Sequence, residues 1–221
     1  MTNGSEPLLE ARALTRVFVS RSGAEVRALD GVSLQVPAGA FVAVTGPSGC
    51  GKTTLLSLLG ALDLATEGEA RYAGQDLKRL AESGRAGVRR KIGFVFQGSP
   101  MVRGLPLWDN VTYALVPLGV GAAARRARAA DLLARVGLGN RLDASPNELS
   151  GGERRRAGLA RALACEPEAI LADEPTADLD RASAERIAEL LSELHATGTT
   201  VLVGTHDEAM AARAESRLEL A

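Results

Sequence analysis

Apolar residues along this chain follow two kinds of pattern. From Leu8 to Val19 and from Glu25 to Val36 they partly alternate with polar ones, which predicts short half-buried strands around a turn at Ser20-Arg21-Ser22-Gly23. Elsewhere they run almost unbroken: Phe41-Val42-Ala43-Val44 within 40–45, Ala169-Ile170-Leu171-Ala172 within 169–174, and Val201-Leu202-Val203 within 199–204. Strands covered on both faces read this way. Lys91 to Phe96 predicts one more strand, and Thr66-Glu67-Gly68-Glu69 a turn into another. Helical stretches lie between: 52–62, the polar segment Asp76–Arg90, Ala122–Val136 with Leu132, Leu133 and Val136 on one face, 150–163 ahead of Pro167, and 181–195. Gly98 to Asn147 carries no strand signal. Pro100, Gly104 and Pro106 predict a loop there, and Asp109 or Asn110 a helix cap. The expected organisation is a single domain, with a core at 8–97 and 160–221 and an inserted helical lobe at 98–159.

Chemistry enters at Gly46-Pro47-Ser48-Gly49-Cys50-Gly51-Lys52-Thr53, which fits G-x-x-x-x-G-K-[ST] between an apolar strand and the helix-like Thr54-Leu55-Leu56. Glycines let a backbone wrap a phosphate closely, and the N–H groups of the loop and helix start point at it. Lys52 is expected to reach β- and γ-phosphates, and the Thr53 hydroxyl to ligate Mg²⁺. The bland alternative is a strand-to-helix turn that binds nothing. Gln97 ends the strand at 91–96, Asp173 and Glu174 end the strand at 169–174, and His206 follows the strand at 199–204. Strand carboxyl ends are where open α/β sheets hold ligands. Because neighbouring strand residues face opposite ways, one of Asp173 and Glu174 can orient Mg²⁺ through water while the other faces an attacking water. Leu149-Ser150-Gly151-Gly152-Glu153 opens a helix with capping-box spacing, and its glycines also suit an anion. Gly158, in the middle of that helix, predicts close packing. Phe18 is either a core residue or a ligand contact.

Composition narrows the class. The 221 residues carry a net charge of −1 and are 46% hydrophobic, so no basic excess suggests a nucleic-acid partner. Arg125-Arg126-Ala127-Arg128 and Arg154-Arg155-Arg156 are expected to be solvated helix faces. Cys50 and Cys165 make no disulfide framework, which suits a reducing compartment. The N-terminal Met-Thr-Asn-Gly-Ser-Glu-Pro has no signal-peptide pattern, and no apolar run is long enough to span a membrane.

Together these motifs resemble the ATP-binding subunits of ABC transporters from about residue 8 to 218. Leu149 to Glu153 is similar to that family's signature, and the order phosphate loop, Gln97, signature, Asp173-Glu174, Asp180 loop, His206 is the family's. The branch it looks most like comprises lipoprotein-release, macrolide-export and cell-division ATPases, on Arg27-Ala28-Leu29-Asp30-Gly31-Val32-Ser33, Leu59 to Asp63, and Leu171 to Thr176. It departs in Gly98 to Arg103, in Ala177-Asp178 where Gly-Asn is commoner, and in Arg155 where Gln is usual.

The resemblance implies an α/β P-loop NTPase fold: a mainly parallel sheet, an N-terminal antiparallel β subdomain and an inserted helical lobe. It also implies ATP and Mg²⁺ as ligands, with Phe18 on adenine and Gly46, Pro47, Ser48, Gly49, Cys50, Gly51, Lys52, Thr53 and Thr54 on the phosphates. Thr53, Gln97 and Asp173 would serve the metal, Glu174 would be the general base, and His206 would hold the γ-phosphate and water in line. Ser150, Gly151 and Gly152, with the Asp180 loop nearby, would complete the site of a second copy, identical or paralogous. Transmembrane permease subunits are the implied partners, which puts the chain peripherally at the cytoplasmic face of the membrane. A regulator of a membrane partner in envelope or division processes is the alternative. Trp108 either faces that partner or packs the start of the helix after it.

Overall fold

The computed structural model describes residues 6–21 and 23–221. The first five residues of the leader reading and Ser22 of the turn lie outside them. The alternating segments form the edge subdomain. Strand β1 (Leu9–Val19) pairs antiparallel with β2 (Glu25–Val36). The continuous segment β3 (Phe41–Thr45) leads through the glycine loop into α1 (Lys52–Leu59). After it, β4 (Glu67–Tyr72) pairs antiparallel with β1 and with the short β5 (Gln75–Asp76), giving the order β2-β1-β4-β5.

Helix α2 (Glu82–Lys91) delivers β6 (Ile92–Val95), and the lobe follows with α3 (Leu107–Thr112) and α4 (Ala122–Arg135). The chain returns through α5 (Gly151–Ala162), β7 (Ala169–Asp173), α6 (Arg181–Ala196), β8 (Thr200–Thr205), α7 (Glu208–Ala211) and β9 (Ser216–Glu219). The five strands of the second sheet are parallel in the order β6-β7-β8-β3-β9.

Every residue of β3, β7 and β8 is buried, as their unbroken apolar runs require. The strands split their side chains between two cores. Val42, Val44, Leu171 and Leu202 pack with α1 and the antiparallel sheet, while Phe41, Ala43, Ile170, Ala172, Val201 and Val203 pack with α5, α6 and the lobe. The lobe residues Leu132, Leu133 and Val136 join the second core, so the helical segment shares its apolar interior with the sheet.

Several boundaries differ from the sequence reading. Helix α1 stops at Leu59, with Gly60 closing it, rather than near Leu62. The helix expected from Asp76 starts at Glu82, because Asp76 ends β5 and its carboxylate accepts from the Lys78 N–H, fixing a turn. Neither Asp109 nor Asn110 caps α3, which begins at Leu107 after Pro106. Asn110 instead bonds both backbone groups of Val102 and the Leu105 carbonyl, stitching down the loop. The arginine clusters are not simply solvated. Arg125 is largely covered, pairs with Asp109 and stacks over Trp108 at 5.3 Å, with Arg126 at 5.7 Å. Arg155 is 4% exposed. Trp108 is thus a half-buried residue packed on the lobe core beneath two guanidiniums.

Close packing at Gly158 is observed. A Cβ there would lie 2.4 Å from Ser99 Oγ and 2.8 Å from Ser99 Cβ. Ser99 is buried at a φ of 45°. Replacing a helical Gly with Ala normally gains about 0.5–1 kcal/mol, whereas overpacking costs about 1–3 kcal/mol, so the clash should win. Gly158→Ala should lower the denaturant midpoint, and adding Ser99→Gly should recover most of the loss. Equal midpoints for the single variant and wild type would refute the contact.

Candidate functional site

The phosphate loop is shaped by its glycines. Gly46 and Gly51 take φ values of 145° and 101°, and a Cβ on either would come within 2.4 Å of a carbonyl, Leu220 O and Ala28 O respectively. No other residue fits at these two points. The loop leaves β3 at the carboxyl edge of the parallel sheet. That edge also presents Gln97 after β6, Asp173 and Glu174 at β7, and His206 after β8. A cavity of about 250 Å³ opens there, lined by Ser48, Gly49, Gly51, Lys52, Thr53, Thr54, Gln97, Glu174 and His206 together with Ala28.

Lys52 is buried, and its Nζ donates to the carbonyls of Gly46 at 2.8 Å and Pro47 at 3.1 Å. Those two loop residues therefore hold the lysine rather than line the cavity. Nζ also lies 3.2 Å from Glu174 Oε1. The other carboxylate oxygen, Oε2, is 2.9 Å from His206 Nδ1 and accepts from the His206 N–H at 3.3 Å. Glu174 stands just past β7 at a φ of 45°, with its N–H bonded to the Gly204 carbonyl. Its divergence from Asp173 comes from this left-handed turn, not from strand alternation as the sequence suggested.

Asp173 points elsewhere: Thr53 Oγ1 donates to its Oδ2 at 2.8 Å. Its Oδ1 is buried without a hydrogen-bond partner, and burial pushes its carboxyl above the usual range. A buried acceptor left this way is poised for a cation. Among the described residues no group of three or more His, Cys, Asp or Glu could hold a metal alone. The hydroxyl of Thr53 and the amide oxygen of Gln97 are hard oxygen donors that suit Mg²⁺ bound jointly with phosphates. The residues present fit that ion.

Other expected site residues lie away from this cavity. Ser150 caps α5: its Oγ accepts from the Glu153 N–H, and Glu153 Oε2 accepts from the Ser150 N–H. Those bonds hold the Glu153 carboxyl below its usual range. Ser150 and Gly151 are exposed, whereas Gly152 is buried against Ser183. Asp180 caps α6 by accepting from the Ser183 N–H. Phe18 is 42% exposed under the Arg16 guanidinium, so it is not a core residue. Cys50 tucks its sulfur under Gly46, and both cysteines are free. Sequence reasoning missed Ala28, which carries no chemical signature, and the buried Arg155, whose Nη1 and Nη2 donate to the carbonyls of Glu174 and Ala177. The unusual residue at 155 was the available signal.

The profile of the ABC transporter family matches residues 29–177. The chain is 45% identical over 215 residues to the macrolide export ATP-binding/permease protein MacB of Hyphomonas neptunium, covering 97% of this chain and 33% of that one. It thus spans about a third of the length of such relatives. It is 47% identical over 184 residues to an ABC transporter ATP-binding protein of Thermotoga maritima, covering 83% of this chain and 79% of that one. A solved dimeric ATP-binding cassette, in a post-hydrolysis state with ADP and Pi, superposes with a TM-score of 0.89 at 36% identity, covering 96% of this chain and 94% of that one.

A carboxyl whose folded-state pKa is raised favours the fold below its unfolded pKa and loses that contribution as pH rises through the folded value. Ionised Asp173 is therefore a cost at neutral pH. Asp173→Asn keeps an acceptor for Thr53 and removes the charge. Without ligands it should melt at or above wild type, and with Mg²⁺ and ADP its melting temperature should rise less. A lower melting temperature without ligands would contradict this account.

Proposed function

The chain belongs to the ABC transporter family, and from that premise we propose that it is the ATP-hydrolysing motor of a membrane transporter, working as a dimer around two ATP molecules. The observation that carries this is the Glu174 carboxylate, buried at the mouth of a phosphate loop and held by Lys52 on one oxygen and His206 on the other.

Phosphates entering the loop meet its N–H groups and compete with Glu174 for Lys52 Nζ. Once released, Glu174 accepts a proton from water as the water oxygen bonds to the γ-phosphorus. The bond from that phosphorus to the bridging oxygen breaks, and its electron pair leaves with ADP. His206 steers the carboxylate and the water into line. A Mg²⁺ held by Thr53, Gln97 and, through water, Asp173 would neutralise charge on the phosphate oxygens. Phe18 and its neighbouring guanidinium offer a surface for the adenine ring.

Ser150, Gly151, Gly152 and Asp180 serve the cavity of a second copy. Their absence from the lining of their own cavity supports this, as does the dimeric state of the solved relative. No helix among the described residues is long and apolar enough to cross a membrane. The permease part would come from a partner chain or from a continuation of this one, with the motor at the cytoplasmic face. A groove of about 750 Å³ beside Leu115 and Leu118, edged by Arg90, Lys91 and Arg128, is a suitable surface for it. Several of its relatives are named for macrolide export; the reading carried over is the coupling of ATP hydrolysis to transport.

A general base contributes about 10²–10⁴-fold to rate. Glu174→Gln should therefore bind ATP, lose turnover on that scale, and accumulate as an ATP-bound dimer by size-exclusion mass. Normal turnover would remove Glu174 from its role.

The trans arrangement has its own test. Lys52→Ala should lose nucleotide affinity, while Ser150→Arg should keep monomer binding and lose hydrolysis. A mixed dimer then holds one intact composite site, so mixing the two inactive proteins should restore ATPase. If mixed dimers form without recovery, the cavity is not completed in trans or the two sites do not fire independently.

A further inference from the structure

Arg155 lies on α5 soon after Ser150 and is 4% exposed. Among the described residues no carboxylate comes within ion-pair distance of it; those of Asp178, Asp173 and Glu174 balance its charge from further away. Its two bonds go to main-chain carbonyls instead, Nη1 to Glu174 O at 3.1 Å and Nη2 to Ala177 O at 3.0 Å. Stability is a poor reason to bury a cation in this way. Well-packed apolar side chains commonly do as well where a buried charge has been removed, and burial here pulls the guanidinium below its usual pKa.

The segment it grips supplies a better reason. Between β7 and α6 the chain passes through two non-glycine residues in the left-handed region, Glu174 at φ 45° and Asp178 at φ 60°. Such conformations persist only where the surroundings hold them. Apart from Arg155, the Glu174 carbonyl receives only a 3.2 Å bond from Ala177 N–H. The planar fork of Arg155 therefore spans both ends of a tight turn that begins at the residue carrying the buried carboxylate.

We propose that Arg155 is a positioning residue, clamping the Glu174–Ala177 turn so that the Glu174 carboxylate faces the phosphate cavity. This rests on the ATPase reading above. The clamp also joins two sites. The N-terminus of α5 meets nucleotide on the second copy, while Arg155 on the same helix sets the base beside this chain's own nucleotide. Occupancy of one cavity is thereby transmitted to the base of the other.

Three variants separate geometry from charge. Arg155→Met removes both donations, Arg155→Lys keeps the charge and the reach without the planar fork, and Arg155→Gln keeps a planar amide that stops two bonds short of the positions of Nη1 and Nη2. For the Met and Lys variants kcat should fall about 10–100-fold, the scale of a misplaced catalytic group, with ATP affinity unchanged and cooperativity in ATP reduced. Gln should fall with Met, because its amide reaches neither carbonyl. Hydrogen exchange of the 174–179 amides should quicken in all three variants, a readout independent of turnover. Wild-type kcat in Arg155→Met would overturn the proposal. So would a parallel fall of kcat, ATP affinity and melting temperature, or rescue by Lys or by Gln. The wild-type ATPase rate, measured alongside, tests the activity reading separately.

Discussion

Three ionisable groups, Lys52, Asp173 and Glu174, are buried together at the carboxyl edge of an otherwise apolar sheet. Burying charge is costly unless every lone pair and proton finds a partner. The surrounding structure supplies those partners almost completely. Gly46 and Pro47 turn their carbonyls onto Lys52, Thr53 bonds Asp173, and His206 closes on Glu174. The shortfall among these three groups is one oxygen, Asp173 Oδ1, which has no hydrogen-bond partner. On the reading proposed here, the nucleotide would resolve this incompleteness: phosphate would take Lys52 from Glu174, and Asp173 would serve the metal through water.

Helix α5 connects that edge to the rest of the molecule. Its capped N-terminus is exposed, Arg155 grips the Glu174 turn, Gly158 seats Ser99 of the loop after Gln97, and Arg161 donates to the Pro100 carbonyl. A rigid helix with contacts to both the base and the Gln97 loop cannot shift without moving both. The lobe side is equally tied down. Asn110 fixes the loop from within α3, and Arg125 bridges α4 to Asp109 across the Trp108 ring. On the reading proposed here, motion at the nucleotide edge would have a packed path toward the lobe, as a motor that drives a partner needs.

Pattern and chemistry together made much of this legible from sequence. The alternating runs at 8–19 and 25–36 and the unbroken runs within 40–45, 169–174 and 199–204 became strands of the two sheets, because strand period and burial are local properties; β9 carried no such signal and was not predicted. The spacing Gly46 to Thr53 dictated a strand, a tight loop and a helix, since only glycine tolerates the backbone at 46 and 51. Gln97, Asp173, Glu174 and His206 fell on one edge because each follows a strand of one parallel sheet.

What sequence could not decide were the contacts between segments far apart in the chain. Arg155 reads as one of three adjacent arginines, yet it faces inward because of where α5 packs, which no periodicity in Arg154-Arg155-Arg156 reveals. The divergence of Glu174 from Asp173 followed from a left-handed turn that Arg155 and Gly204 help to hold, not from strand alternation. Residue types and spacing specified which groups stand at the site. Their orientation depended on long-range hydrogen bonds and on the burial of charge, and those exist only once the sheet and helices have packed.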